Sequence, residues 1–196
     1  MNLDINGNHI GNTTSAITVR RVIGHVRLFG NVVKTGSERV DYEAIRLVNT
    51  GSYWMANNTI ECQWADCVGI AVFSQSREWP IQSAIIEHNQ VNMSPPPGPV
   101  YADSSAAIEI KGFAHSNVVQ YNTIRGHAHT ALAISAFKGG YPEDNAFIDN
   151  DLKGFHASLA STLVGSGVLR TRLVHPGTVV DRGVSTNSKM NVNERN

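Results

Sequence analysis

One local pattern, apolar-x-x-Asn-x-aliphatic, recurs down the chain and limits its possible folds more than any other feature. It centres on Asn31 (Leu28 to Val33), Asn58 (Met55 to Ile60), Asn89 (Ile86 to Val91), Asn122 (Val119 to Ile124) and Asn150 (Phe147 to Leu152). An N-terminal copy, Ile5 to Ile10, centres on Asn8. Successive Asn spacings are 23, 27, 31, 33 and 28 residues. A seventh copy, Val174 to Val179, puts Gly177 where Asn stood. Self-similarity at a period of about 20–50 residues marks a solenoid.

A second column of residues supports this. Its copies, small-aliphatic-x-aliphatic, are Ala16 to Val19, Ala44 to Leu47, Gly69 to Val72, Ala107 to Ile110 and Ala131 to Ile134. Ser158 to Ser161 is expected as a degraded sixth copy. Alternation with period two is the pattern of a strand with one buried face. A helical repeat needs long stretches of 3.6-residue periodicity. The nearest approach, Ala157 to Val168, is interrupted by Gly165 and Gly167.

The expected fold is all-β: a single-stranded right-handed parallel β-helix, a solenoid of about seven coils with an Asn ladder. The hand follows from the general rule for crossovers between parallel strands. Asn is expected at the bend between two strands, itself in the left-handed conformation it tolerates. Its amide would bond to the Asn of the next coil, and Gly177 would fit the same bend. Residues 1–187 are expected to form the β-helix and 188–196 a polar tail.

Composition narrows the partners. Lys+Arg and Asp+Glu are both 16, so the formal net charge is zero. That gives no support for a nucleic-acid or anionic-membrane partner. No apolar run is long enough to span a membrane, and the start lacks the basic and apolar regions of a signal peptide. Localisation stays open between a cytoplasmic product and an exported protein whose signal has been removed. Cys62 and Cys67 are the only cysteines. Cys-x4-Cys without a second pair does not read as zinc, so two reduced core thiols are expected.

Over about residues 3 to 184 the repeat resembles the right-handed parallel β-helices of the pectate lyase-like superfamily. There the strand before the Asn bend is the second, the strand after it the third, and the small-aliphatic strand the first of the next turn. The fold is shared by lyases, hydrolases, epimerases, phage fibres and proteins without activity, so it does not carry function by itself. The resemblance implies a substrate cleft along the outer face of the first strand, walled by flanking turns.

Alternation maps that cleft. With Ile108 and Ile110 inward, Glu109 and Lys111 point out. Arg46 shares Glu109's column with Ala71 between, and the next column holds Arg20, Val48, Phe73, Lys111 and Ser135. The turn entering this face carries Asp66, Asp103, His127, His129 and His156. Ala or Gly at 16, 44, 69, 107 and 131 would leave room for a sugar. In the catalytic reading, Lys111 or Arg46 neutralises a uronate carboxylate and His127, His129 or a Lys removes the adjacent proton. Glu109 stands nearly alone, whereas the hydrolases of the superfamily group their carboxylates. A polysaccharide lyase or epimerase therefore suits the residues better than a glycoside hydrolase. Trp64 and Tyr101 are candidates to stack on sugar, with Asp66, Asp103 and His156 beside them.

No cofactor is expected and no metal site is assigned. His127, His129 and His156 are placed to meet across adjacent coils, yet His-x-His is common in a chain with 8 His. Calcium, used by some lyases of the superfamily, would need Glu143, Asp144, Asp149 and Asp151 to cluster. The rival to a carbohydrate-binding or carbohydrate-processing protein is a non-catalytic interaction module, or a fragment of a longer β-helix. Its open strand edges would favour homo-oligomers through coil ends or sides.

Overall fold

The computed structural model describes residues 2–13, 15–36, 43–64, 66–94 and 105–182. Among them there is no helix, and every strand pairs with its neighbours in parallel. No helix is long and apolar enough to cross a membrane.

One seven-stranded sheet collects the strands before the Asn corners. In spatial order they are Asn2–Asn6, His25–Phe29, Ser52–Ala56, Ile85–Glu87, Val118–Gln120, Ala146–Ile148 and Arg172–Val174. The strands after the corners stack as His9–Thr13, Val32–Thr35, Thr59–Cys62, Gln90–Met93 and the start of Thr123–Ser135. The first-strand stack runs Ile17–Arg20, Glu43–Val48, Val68–Ser74, Ala106–Gly112 and the end of Thr123–Ser135. Phe155–Val164 and then Val179–Asp181 continue it. The 13-residue strand Thr123–Ser135 joins the last two stacks into one curled sheet.

Register explains why alternation was enough to place these strands. Leu28, Met55, Ile86, Val119, Phe147 and Leu173 are partners in successive strands. Each is at most 1% exposed. Ile17, Ile45, Ile70, Ile108 and Leu132 form a second such column. A slip of one residue would turn every one of these side chains to solvent. Each buried aliphatic contributes about 1.5–3 kcal/mol.

The Asn ladder is continuous. The Nδ2 of Asn8, Asn31, Asn58, Asn89 and Asn122 each donates to the Oδ1 of the next Asn, at 2.9 Å throughout. The backbone N–H of each donor residue bonds to the same oxygen. The corner differs from expectation in one respect. The left-handed residue is the one before the Asn, with φ from +48° to +67° at Gly7, Gly30, Asn57, His88, Tyr121 and Asp149. The Asn side chain turns inward to replace the hydrogen bonds that the bend takes from the backbone.

Two repeat assignments shift. Val174 pairs with Ile148, so Pro176 takes the place of Asn150's partner and Gly177 lies one residue beyond. Proline has no amide side chain, and the ladder ends at Asn150, whose Nδ2 donates to the Val119 carbonyl. Thr162 and Val164, not Leu159 and Ser161, stand opposite Leu132 and Ile134. The buried polar Thr162 hides that repeat from an aliphatic pattern; its hydroxyl donates to the Pro176 carbonyl at 2.8 Å.

A second ladder at another corner joins Asn117 Nδ2 to Asn145 Oδ1 at 2.8 Å. Cys62 and Cys67 are disulfide-bonded, correcting the expectation of free thiols. They lie at the end of a third strand and the start of the next first strand, where the turn brings their Cα atoms to 5.9 Å. Residues 183–196, including the expected tail, fall outside the described residues.

Candidate functional site

The outer face of the first-strand stack has the columns that alternation gives. Arg46, Ala71, Glu109 and Ala133 are register partners, as are Arg20, Val48, Phe73, Lys111 and Ser135. Glu109 and Lys111, two apart on one strand, form an ion pair at 2.6 Å. Glu109 is only 8% exposed. Burial pushes its carboxyl above the usual range, outweighing the pull of the Lys111 ammonium, and the nearby Glu43 charge adds to the rise.

Apolar groups surround these charges. Val48, Val68, Ala71 and Phe73 form a cluster separate from the interior, with Phe137 packed against it. The Phe73 and Phe137 rings meet edge-on at 5.8 Å. The Arg46 guanidinium lies 5.0 Å from the Phe73 ring centre and 3.7 Å from Glu43. Arg46 is thus held by a carboxylate on one side and an aromatic face on the other.

The small residues of the first strands do not form a sugar bed. Ala44, Ala107 and Ala131 are fully buried in the interior. A Cβ on Gly69 would lie 2.6 Å from the Ala107 carbonyl oxygen and 2.7 Å from a Val91 methyl. At Gly69 the small size answers to crowding against the neighbouring first strand and Val91 of a third strand.

The histidines divide. His127 and His156 are register partners on adjacent strands and both are exposed. The register shifts just after Ala128, and His129 instead places Nδ1 3.2 Å from the Ser158 hydroxyl. Asp66 is 6% exposed, and its Oδ1 has no hydrogen-bond partner among the described residues. Trp64 packs against the interior with a buried Nε1. Trp54 is 40% exposed on the seven-stranded sheet, and its Nε1 donates to Glu87 at 2.9 Å. Tyr101 and Asp103 lie outside the described residues.

Each of the acidic residues considered for calcium contacts a basic side chain. Arg170 bonds Glu143 and Asp144, His175 contacts Asp149 at 2.6 Å, and Arg125 bonds Asp151. Hydrogen bonds from Arg170 and Arg125 keep Asp144 and Asp151 below the usual carboxylate range. No group of three metal-ligating side chains occurs among the described residues.

Pattern reading put Arg20 in Lys111's column without making it a site residue, and passed over Arg21. Arg20 and Arg21 line a cavity of about 340 Å³ with Val48, Asn49 and Gln75. Arg21 is left-handed, with φ +53°, so consecutive side chains reach one cavity instead of opposite faces. Neither makes an ion pair among the described residues. The Asn49 Oδ1 accepts from the Gln75 N–H at 2.7 Å, which fixes the cavity wall. The signal available in the sequence was Arg20's place in the Lys111 column.

Compared with known proteins, the chain matches no family model, no curated protein and no solved structure.

Proposed function

We propose that the chain is a right-handed parallel β-helix of about seven coils, of the pectate lyase-like kind, that binds acidic polysaccharide along the outer face of its first strands. The hand rests on the crossover rule for parallel strands. The observation that carries the ligand class is the Arg20–Arg21 cavity, where two guanidiniums with no ion pair among the described residues converge at the end of the Lys111 column. Two cations at one cavity repel unless an anion joins them, and arginine forks match carboxylates. Arg46 and Lys111 extend the positive line, and each already has an internal carboxylate to exchange for a uronate.

Catalysis, if added to binding, is β-elimination or epimerisation. Glu109 is the acid–base group of this reading, since its raised proton affinity suits proton transfer near neutral pH better than an ordinary carboxylate does. Calorimetric titration with polygalacturonate and alginate at low salt tests the binding, and ultraviolet absorbance of unsaturated uronates tests the chemistry. Arg20→Gln with Arg21→Gln is expected to weaken binding, and Lys111→Ala to weaken it further. Polymers that bind neither protein, or bind both alike, would remove the reading.

A second reading, an interaction module, is favoured by the seven-stranded sheet. Phe29, Trp54 and Ile85 are 37–42% exposed there, with Trp54 and Ile85 in register and the Phe29 and Trp54 rings 5.9 Å apart. Apolar exposure of this kind marks association surfaces. Light scattering across a concentration series would report oligomers, and a clean monomer at high concentration removes self-association through this face.

A further inference from the structure

A cavity of about 470 Å³ opens at the corner between the first and second strands, and no residue of the Glu109 and Lys111 columns lines it. Its lining is assembled across successive repeats. Gln82 pairs with His115, His115 bridges to Glu143, and Glu143 bridges to Leu169. Arg77, Phe113 and Tyr141 complete the walls.

Two walls are aromatic. Tyr141 is 54% exposed. A Cβ on Gly167 would sit 2.4 and 2.5 Å from its Cδ1 and Cε1, so the Gly167 backbone, with φ +77°, abuts one edge of the ring. The Arg77 guanidinium stands 5.8 Å from the Phe113 ring centre.

The polar groups alternate in character. Glu143 Oε1 lies 3.3 Å from His115 Nδ1, and Glu143 Oε2 accepts from Arg170 at 2.8 Å. Each carboxylate oxygen keeps a second lone pair for a ligand hydroxyl. Among the described residues His115 Nδ1 is buried without a hydrogen-bond partner and Arg77 makes no ion pair, so polar groups of both kinds stand at the cavity.

We propose that this cavity is a pyranose-binding subsite, with the sugar's C–H face on Tyr141 and its hydroxyls on Glu143, His115 and Arg77. The volume falls within the range of small-molecule pockets, roughly 300–1,000 Å³. A flat aromatic face suits the apolar side of a pyranose, while mixed donors and acceptors suit its hydroxyls. The Glu143 carboxylate, with Asp144 beside it, disfavours a phosphate or sulfate ester at the same place. The site stands on residues separate from the acidic-polysaccharide reading.

Saturation-transfer NMR with methyl glucoside, methyl galactoside, methyl mannoside and the matching methyl uronosides tests it. Transfer is expected to the ring protons of at least one pyranoside. Tyr141→Ala should weaken that binding about tenfold, the scale of one lost aromatic contact. Glu143→Gln, which keeps the side-chain volume, should weaken it as well, and amide NMR spectra would check that both variants fold. A preference for uronosides lost in Arg77→Gln assigns that arginine to a carboxylate; equal binding of neutral and acidic sugars assigns it to hydroxyls. Both support the subsite. No transfer at millimolar sugar, or transfer unchanged in both Tyr141→Ala and Glu143→Gln, overturns it. A methyl pyranoside that binds while the polymers do not would sink only the polymer reading.

Discussion

The Nδ2 of Asn58 donates to the Oδ1 of Asn89 at 2.9 Å, and neither residue is exposed. The same oxygen accepts the Asn58 backbone N–H at 3.0 Å, while Asn89 Nδ2 reaches the Met55 and Glu87 carbonyls. One side chain thus serves the backbone of two repeats. Asn89→Ala orphans the Asn58 N–H, which costs about 1–3 kcal/mol, and leaves a void besides. Asn89→Asp should cost more at neutral pH, because an oxygen then faces three acceptors, and should recover partly in acid. Asn57→Gly is expected to stay within about 0.5 kcal/mol, since that exposed, left-handed position suits glycine. Urea unfolding at two pH values measures all three.

Glu109 gives a pH signature with a definite sign. Its folded-state proton affinity is raised, so its contribution to stability is full below the ordinary carboxylate pKa and is lost as pH rises through the raised value. Glu109→Gln removes that dependence. The melting temperature of the variant minus that of the native chain should therefore climb from acid toward neutral pH. A flat or falling difference would refute the buried-carboxylate assignment. Taking the difference cancels Glu87, Asp144 and Asp151, whose lowered values act in the opposite direction.

Gly69 and Gly11 should respond oppositely to alanine. At Gly69 a methyl meets backbone, which cannot move aside, and Gly69→Ala is expected to destabilise by about 1–3 kcal/mol. At Gly11 nothing lies within 4 Å, and Gly11→Ala should be neutral or slightly stabilising. Thermal melts of the pair check this with one measurement.

Closure of the Cys62–Cys67 loop should be detectable chemically. Thiol titration of the denatured, unreduced chain is expected to find no free thiol. The sequence separation is 5, so chain entropy assigns the link about 2 kcal/mol. Cys62→Ala with Cys67→Ala should lose an amount of that order in urea.

The parallel strands and the Asn corners were legible because both repeat in sequence at the period at which they stack in space. The inward column of Leu28, Met55, Ile86, Val119 and Phe147 is written directly in that pattern. Thr162 and Pro176 were misplaced because they break the aliphatic and Asn rules while keeping the backbone register. The second ladder was open to reading, since Asn117 and Asn145 each stand five residues before Asn122 and Asn150.

By itself the sequence determined which side chains of each strand point into the interior, since alternation and the inward face share one period. The tertiary structure alone decided what the outward residues meet. Whether Glu109 is solvated or buried, whether Trp54 or Trp64 is open, and which cations reach Arg20's cavity depend on turns of unequal length and on side-chain packing between repeats. Many of those contacts join residues from different repeats, as Arg46 meets Phe73 and Phe73 meets Phe137, and no local pattern along the chain encodes them.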